Sequence, residues 1–363
     1  MRFLVALGFL IFGLLAATQQ SLAATCTISK YNEDDIKTIE NDCRDITLDG
    51  LNVPAGVTLN LNLNQGTKLT FQGTTTWEFY EWNGPLLNIT GEDLEITGAS
   101  DHVLDAQGNL WWDGQGEHGG TIKPVFFILH GVKNSVMHDL KVKNTPYHAI
   151  WIENSDGVSV SNISINNRDG DTMGGHNTDG FNVWTSNNVT LDNINVYNQD
   201  DCVAIKSGTN IVVKDAYCYG GHGLSIGSVG GRDYNIVENV LVSNSLIEKS
   251  DNGVRIKTVY GATGSVTNVT YANIFLMGIK KYGIVIEGDY NIETGGTTGV
   301  ATGGVPIKEF TLKDITGTVA KSGVNIYVLV KNASDWHCSE IDVTGGEKTK
   351  VCEGIPEGAG ISC

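Results

Sequence analysis

One short pattern returns five times along this chain, each time with an asparagine or aspartate at the same point between two alternating runs. Residues 158–165 read VSVSNISI, 189–196 VTLDNINV, 211–218 IVVKDAYC, 240–247 VLVSNSLI and 266–274 VTNVTYANI. Alternation of apolar and polar side chains marks a strand with one buried face. The marker residues Asn162, Asn193, Asp215, Asn244 and Asn273 stand 31, 22, 29 and 29 residues apart. A unit of this length, all strand and turn, cannot bury its own inner face, so successive copies must stack and share a core. The expectation is an all-β chain folded as a single-stranded parallel β-helix, a solenoid. It is expected to be right-handed, because parallel crossovers almost always are. A sandwich of antiparallel hairpins fits less well, since two-residue Asn-Gly and Asp-Gly turns do not punctuate the strands regularly. The drifting offset means turns of variable length on a constant strand scaffold, and such turns usually carry function.

Composition agrees with many tight turns and extended runs: the 363 residues include 45 glycines and only 6 prolines. The formal charge is −17, and −18 without residues 1–23, whose only charge is Arg2. So acidic a chain is a poor partner for nucleic acid or an anionic membrane. A local basic cleft would still admit a polyanion. Residues 1–23 read as a secretory signal peptide. Arg2 leads a charge-free apolar run over residues 3–17 that is too short for a bilayer span, and small residues follow at 21–23. Residues 24–363 are then expected to form a single β-helix domain, secreted and extracellular. Seven cysteines fit an oxidising compartment. Local pairing gives Cys26 with Cys43, Cys202 with Cys218 and Cys352 with Cys363, leaving Cys338 over. No Cys-x-x-Cys occurs and the histidines are not clustered, so no metal site is expected. Sequons begin at Asn88, Asn162, Asn188, Asn268 and Asn332, with glycans expected at some of them.

Aligning the coils on their marker residue brings distant clusters together. Val203 and Ile205 fall over Phe181 and Val183, which places Asp201 over Asp179. Asp200, His222 and Asp251 fall in one column. Lys206 matches Lys257, and Ala204 matches Arg255. Neighbouring strands lie about 4.8 Å apart, so residues in one column are near neighbours. Three carboxylates this close cannot all ionise freely, and at least one is expected to titrate high. A raised carboxyl beside ionised ones supplies an acid and a base, which is what hydrolysis of a glycosidic bond requires. Arg255 and Lys257 suit a negatively charged sugar, and Tyr282 adds a hydrogen bond or a stacking face. Taken singly, Asp-Asp, Gly-His-Gly and Arg-Ile-Lys are ordinary turn and strand fragments; their convergence is what gives them meaning.

These residues resemble the polygalacturonases of glycoside hydrolase family 28, of the fungal and insect type. The likeness runs over nearly all of residues 24–363. It is carried by Trp111-Trp112-Asp113-Gly114, Lys143-Asn144-Thr145-Pro146, residues 175–180 (GHNTDG), 199–202 (QDDC), 221–228 (GHGLSIGS), 252–257 (NGVRIK), Lys281-Tyr282-Gly283 and 342–346 (DVTGG). The resemblance implies hydrolysis of α-1,4-linked galacturonan, a pectic polysaccharide, with inversion and without metal or organic cofactor. It implies Asp200 as general acid, Asp179 and Asp201 as the holders of the attacking water, and His222 as the residue that tunes their protonation. It further implies Arg255 and Lys257 as binders of the sugar carboxylate, with Asn177 and Tyr282 lining the same subsites. The family's carboxylates are expected to stand closer together than the usual rule for inverting enzymes. A monomer is expected, with plant-wall inhibitor proteins as a possible class of partner.

The sequence departs from the family pattern at a few places. Asn182 stands where fungal members often carry aspartate, and Trp184 and Lys206 occupy positions that are frequently smaller or uncharged. Lys206 would add a positive subsite or simply balance charge on an outer face. Other readings are exo-action, hydrolysis of rhamnogalacturonan or xylogalacturonan, a non-catalytic pectin-binding β-helix, and a calcium-dependent pectate lyase.

Overall fold

In the computed structural model, which describes residues 24–117, 119–349 and 351–363, the chain winds through two long sheets. The expected leader, residues 1–23, lies outside the described residues. Strands Ile150–Glu153, Phe181–Trp184, Val203–Ile205, Leu224–Val229, Asn252–Val259 and Tyr282–Asn291 follow one another in one sheet. The marker residues lie in or beside strands of the other, among them Asp156–Asn166, Ser186–Tyr197, Ile236–Glu248 and Ser265–Ile279. Each strand pairs in parallel with its equivalent one coil on. Among the described residues the one antiparallel pairing joins Gly296–Thr297 to Tyr282–Asn291. This is a parallel β-helix, and the antiparallel sandwich is ruled out.

Period-two alternation turns directly into packing. Ile150, Phe181, Val203, Leu224, Val254 and Ile284 form one inward column, and Ile152, Val183, Ile205, Ile226, Ile256 and Ile286 a second. None of the twelve is more than 1% exposed. Burying each contributes about 1.5–3 kcal/mol, and together they hold the sheet that carries the site. The helix Glu33–Asp42 begins at Asn32, whose side chain accepts from the N–H groups of Asp34 and Asp35. It packs Ile36 and Ile39 into the first coil. All three expected disulfides form, and Cys338 is unpaired. The bridge from Cys202 to Cys218 anchors the residue that directly follows Asp201.

The marker asparagines have a backbone cause. Asn162, Asn193, Asp215, Asn244 and Asn273 all adopt left-handed conformations, with φ between 50° and 55°. Asparagine and aspartate tolerate this region better than other side chains. Their amides also stack along the axis. Asn193 Nδ2 donates to Asn162 Oδ1 at 2.7 Å, and Asn273 Nδ2 to Asn244 Oδ1 at 2.9 Å. Asn244→Ala is expected to cost ~1–2 kcal/mol of stability, and Asn244→Gly less, because glycine keeps the left-handed turn without strain. Chemical denaturation of the two variants checks this; equal losses would show that the amide stack, not the backbone, sets the marker.

Candidate active site

The strands of the first sheet start from turns that the register stacks. Counting back two positions from Ile150, Phe181, Val203 and Leu224, which pair in sequence, gives His148, Asp179, Asp201 and His222. Main-chain bonds hold these turns together: Ala149 N–H to the Asp179 carbonyl at 2.8 Å, Gly180 N–H to that of Asp201 at 2.9 Å, and Cys202 N–H to that of Gly223 at 2.9 Å. Asp201 therefore does stand over Asp179. The column expected for Asp200 needs a correction. The paired register puts Gly221, not His222, between Asp200 and Asp251. A Cβ at Gly221 would collide with the Asp200 carbonyl oxygen, so only glycine passes there. His222 follows one position later, and its ring turns back to Asp200.

The carboxylates meet in a cavity of about 490 Å³ lined by Asn177, Asp179, Asp200, Asp201, Lys257, His148 and Tyr290, among others. Asp200 accepts from Asn177 Nδ2 at 2.9 Å, from its neighbour's main-chain N–H at 2.7 Å, and lies 2.9 Å from His222 Nδ1. Asp201 accepts from the Ser225 hydroxyl at 2.6 Å and from the Lys257 ammonium at 2.8 Å. Asp179 has fewer partners: His148 Nε2 stands 3.4 Å from its Oδ1. The Trp151 indole N–H donates to His148 Nδ1 at 2.9 Å, which leaves the ring proton on Nε2, facing Asp179. Asp200, Asp201 and His222 bring ligand atoms within 4.8 Å of one another. Lys257 and Ser225 already occupy both Asp201 oxygens, so an ammonium holds the place a cation would take.

Neither Arg255 nor Tyr282 lines this cavity directly, although the Arg255 guanidinium lies 5.9 Å from the ring of Tyr290, which does. Arg255 gives Nε and Nη2 to the buried Glu287 carboxylate at 3.0 and 2.7 Å. Tyr282 packs against Tyr327, with ring centroids 5.3 Å apart. The tyrosine that faces the cations is Tyr290, whose ring lies 5.3 Å from Lys257 Nζ. A register shift between Lys257 and Val259 brings Tyr290 opposite Val259. Alternation gives no sign of such a shift. Among the lining residues that motif reading missed are His148, Arg232 and Tyr290. For His148 a signal exists, because extending the Asp179–Asp201 column one coil back lands on it.

The pattern of the glycosyl hydrolases family 28 matches residues 43–363. The chain belongs to this family. Among curated relatives, endopolygalacturonase A of Aspergillus niger is 54% identical over 323 residues, covering 88% of this chain and 86% of the relative. A polygalacturonase of Saccharomyces cerevisiae is 47% identical over 348 residues, covering 96% and 95%. Among solved structures, endopolygalacturonase I from Stereum purpureum, complexed with two galacturonate, is 36% identical with a TM-score of 0.80, covering 89% of this chain and 95% of that one. An endo-xylogalacturonan hydrolase from Aspergillus tubingensis, 23% identical with a TM-score of 0.71, shares the fold.

In this family 28 hydrolase the three aspartates are not equivalent. Burial, and then the charge of Asp200, hold the Asp179 carboxyl well above the usual carboxylate range. Burial would raise Asp200 too. The His222 imidazolium, its hydrogen bond and then Lys257 overcome that and hold Asp200 below the usual range. Burial lowers the His222 pKa, but the Asp200 charge outweighs it and the imidazole is raised. Burial and the nearby Lys206 charge keep His148 well below its ordinary value, hence neutral. Asp179 therefore keeps its proton to higher pH than Asp200 does.

This has a stability consequence. With its folded pKa above the unfolded 3.8, Asp179 binds more protons in the native state than in the unfolded chain. Its contribution is fully present below pH 3.8 and is lost as pH rises through the raised value. Asp179→Asn is expected to raise Tm near neutral pH and to match the wild type in acid below pH 3.8. Melting curves across that range check it; a Tm loss near neutral pH would place the proton elsewhere.

Proposed function

We propose that this glycosyl hydrolase is a secreted, monomeric endo-polygalacturonase that cleaves α-1,4-linked galacturonan with inversion. The observation that carries the reading is the convergence of Asp179, Asp200 and Asp201 with the Lys257 ammonium on the floor of one groove. The relatives named above support it. Lys257 receives a uronate carboxylate beside Tyr290. Arg255, with Nη1 unbonded among the described residues, helps hold the same acid. Asn177 orients Asp200.

Substrate binding reorders the protons. A uronate at Lys257 offsets the positive field that depresses Asp200, and its own negative charge raises Asp200 further. His222 Nδ1, 2.9 Å away, is the nearest proton store. Asp200, once protonated, gives its proton to the leaving glycosidic oxygen. Asp179 and Asp201 hold water on the opposite side of C1 and accept its proton as the C1–O bond breaks. Asp179 must ionise for this, so activity is expected to fall in acid at a pH above the ordinary carboxylate range, as Asp179 takes up its proton. It is expected to fall in base as the raised His222 loses its own.

Product analysis on ester-free polygalacturonate tests the reading. The expected result is a mixture of saturated oligomers. Monomer alone would mean exo-action, unsaturated ends a lyase, and no product from folded protein a different backbone or a binding role. Asp200→Asn is expected to lower kcat by about 10²–10⁴-fold while oligogalacturonate binding is retained; lost binding would argue against its role as acid.

For a secreted chain, the ladders rank the sequons as glycan acceptors. Asn88, Asn162, Asn268 and Asn332 each donate their amide to an acceptor one coil away. The Asn188 amide is exposed and has no such acceptor among the described residues. It is the first site proposed for a glycan, and Asn188→Gln should shift the mass of the secreted protein. A plant-wall inhibitor that covers the groove is the partner class this reading implies, and competition by oligogalacturonate tests for it.

A further inference from the structure

Lys206 is not on an outer face balancing charge. It follows Ile205 directly, and the paired register sets it in one row with Gly227 and Lys257, two coils apart along the groove floor. At about 4.8 Å per coil the two lysine positions are roughly 10 Å apart. Gly227 between them has no side chain, and the stem of Lys257 lies against it.

Lys257 is paired to Asp201, whereas Lys206 is ion-paired to no carboxylate among the described residues. Its Nζ lies 5.7 Å from the Trp151 ring. Arg232 lines the same cavity, with its guanidinium 5.7 Å from the Trp184 ring. It donates to the main-chain carbonyls of Ser228 at 2.7 Å and Gly230 at 3.3 Å, and no described carboxylate pairs with it. Burial lowers the pKa of both cations; the Asp179 charge offsets part of this for Lys206 against the opposing charges of Arg232 and Lys257, and Tyr290 and Glu117 offset part of it for Arg232. Two half-buried cations share one cavity, and neither is directly ion-paired to a carboxylate among the described residues, so an incoming anion gains from both. Trp151 and Trp184, edge to face at 5.9 Å, back the two cations, one ring under each.

We propose that Lys206 and Arg232 form a second uronate-carboxylate subsite, two coils from Lys257 toward the N-terminal end of the groove and walled by Trp151 and Trp184. This rests on the galacturonan reading. The enzyme then reads two free acids on one substrate chain, and a methyl ester at the second position weakens binding, because the ester has no charge for Lys206 to pair with.

The test is steady-state kinetics of the wild type, Lys206→Met and Lys206→Arg on ester-free polygalacturonate and on the same polymer partly methyl-esterified. Lys206→Met is expected to raise KM on the ester-free polymer about tenfold, with kcat little changed, as loss of one charge-assisted hydrogen bond implies. Its disadvantage against the wild type is expected to shrink on the esterified polymer, and Lys206→Arg to restore the preference. Arg232→Gln is expected to show the same ester-dependent loss, which keeps the inference open to refutation if Lys206→Met does not fold. Equal losses on both polymers would overturn the subsite. So would a fall in kcat with a displaced acid limb and an unchanged KM, which would mean that Lys206 acts through Asp179. A wild type inert on both polymers would overturn the galacturonan reading, and the subsite with it; an active wild type with an ester-blind variant would overturn the subsite alone.

Discussion

The register between successive coils is the constraint on which this structure depends. Each strand of the floor sheet pairs with the next in parallel, and the inward columns from Ile150 to Ile284 and from Ile152 to Ile286 leave no freedom to slip. A shift of one residue would exchange the buried and exposed faces of a strand. It would also carry Asp201 away from Asp179 and Lys257. Stability and catalytic geometry are thus one property of the fold: the apolar columns that bury the core set where the carboxylates stand.

Much of this was legible because register follows from alternation. Matching Val203 and Ile205 to Phe181 and Val183 is enough to stack Asp201 on Asp179, and the same count puts Lys206 and Lys257 in one row. The marker asparagines were visible as a repeat, although their cause, a left-handed turn, is a backbone property that sequence shows only indirectly. What escaped were features that break alternation. Gly221 moves His222 one position out of the column expected for it, and the register shift after Lys257 puts Tyr290 where Tyr282 was expected to serve. Which aspartate holds the proton was also hidden. That depends on partners such as Asn177, Ser225 and His222, whose reach is set by turns and not by strand pattern.

The site combines strong negative charge with selective compensation. Asp201 is paired with Lys257 and Asp200 with His222, while Asp179, buried beside a charged neighbour, is held above the usual carboxylate range. Such an arrangement is stable in the absence of substrate and poised to change when an anionic sugar arrives, since the newcomer competes for the cations that fix the present distribution. In the proposed mechanism, specificity for an acidic polymer and control of the acid's protonation have one origin.

The stereochemistry of the first-formed product tests this division of labour most directly. Proton NMR of the anomeric region, recorded as ester-free polygalacturonate is cleaved, is expected to show the β-anomer appearing first, because water held by Asp179 and Asp201 attacks opposite the bond that Asp200 releases. First appearance of the α-anomer would mean that an aspartate attacks carbon directly, and would contradict the assignment of the three carboxylates.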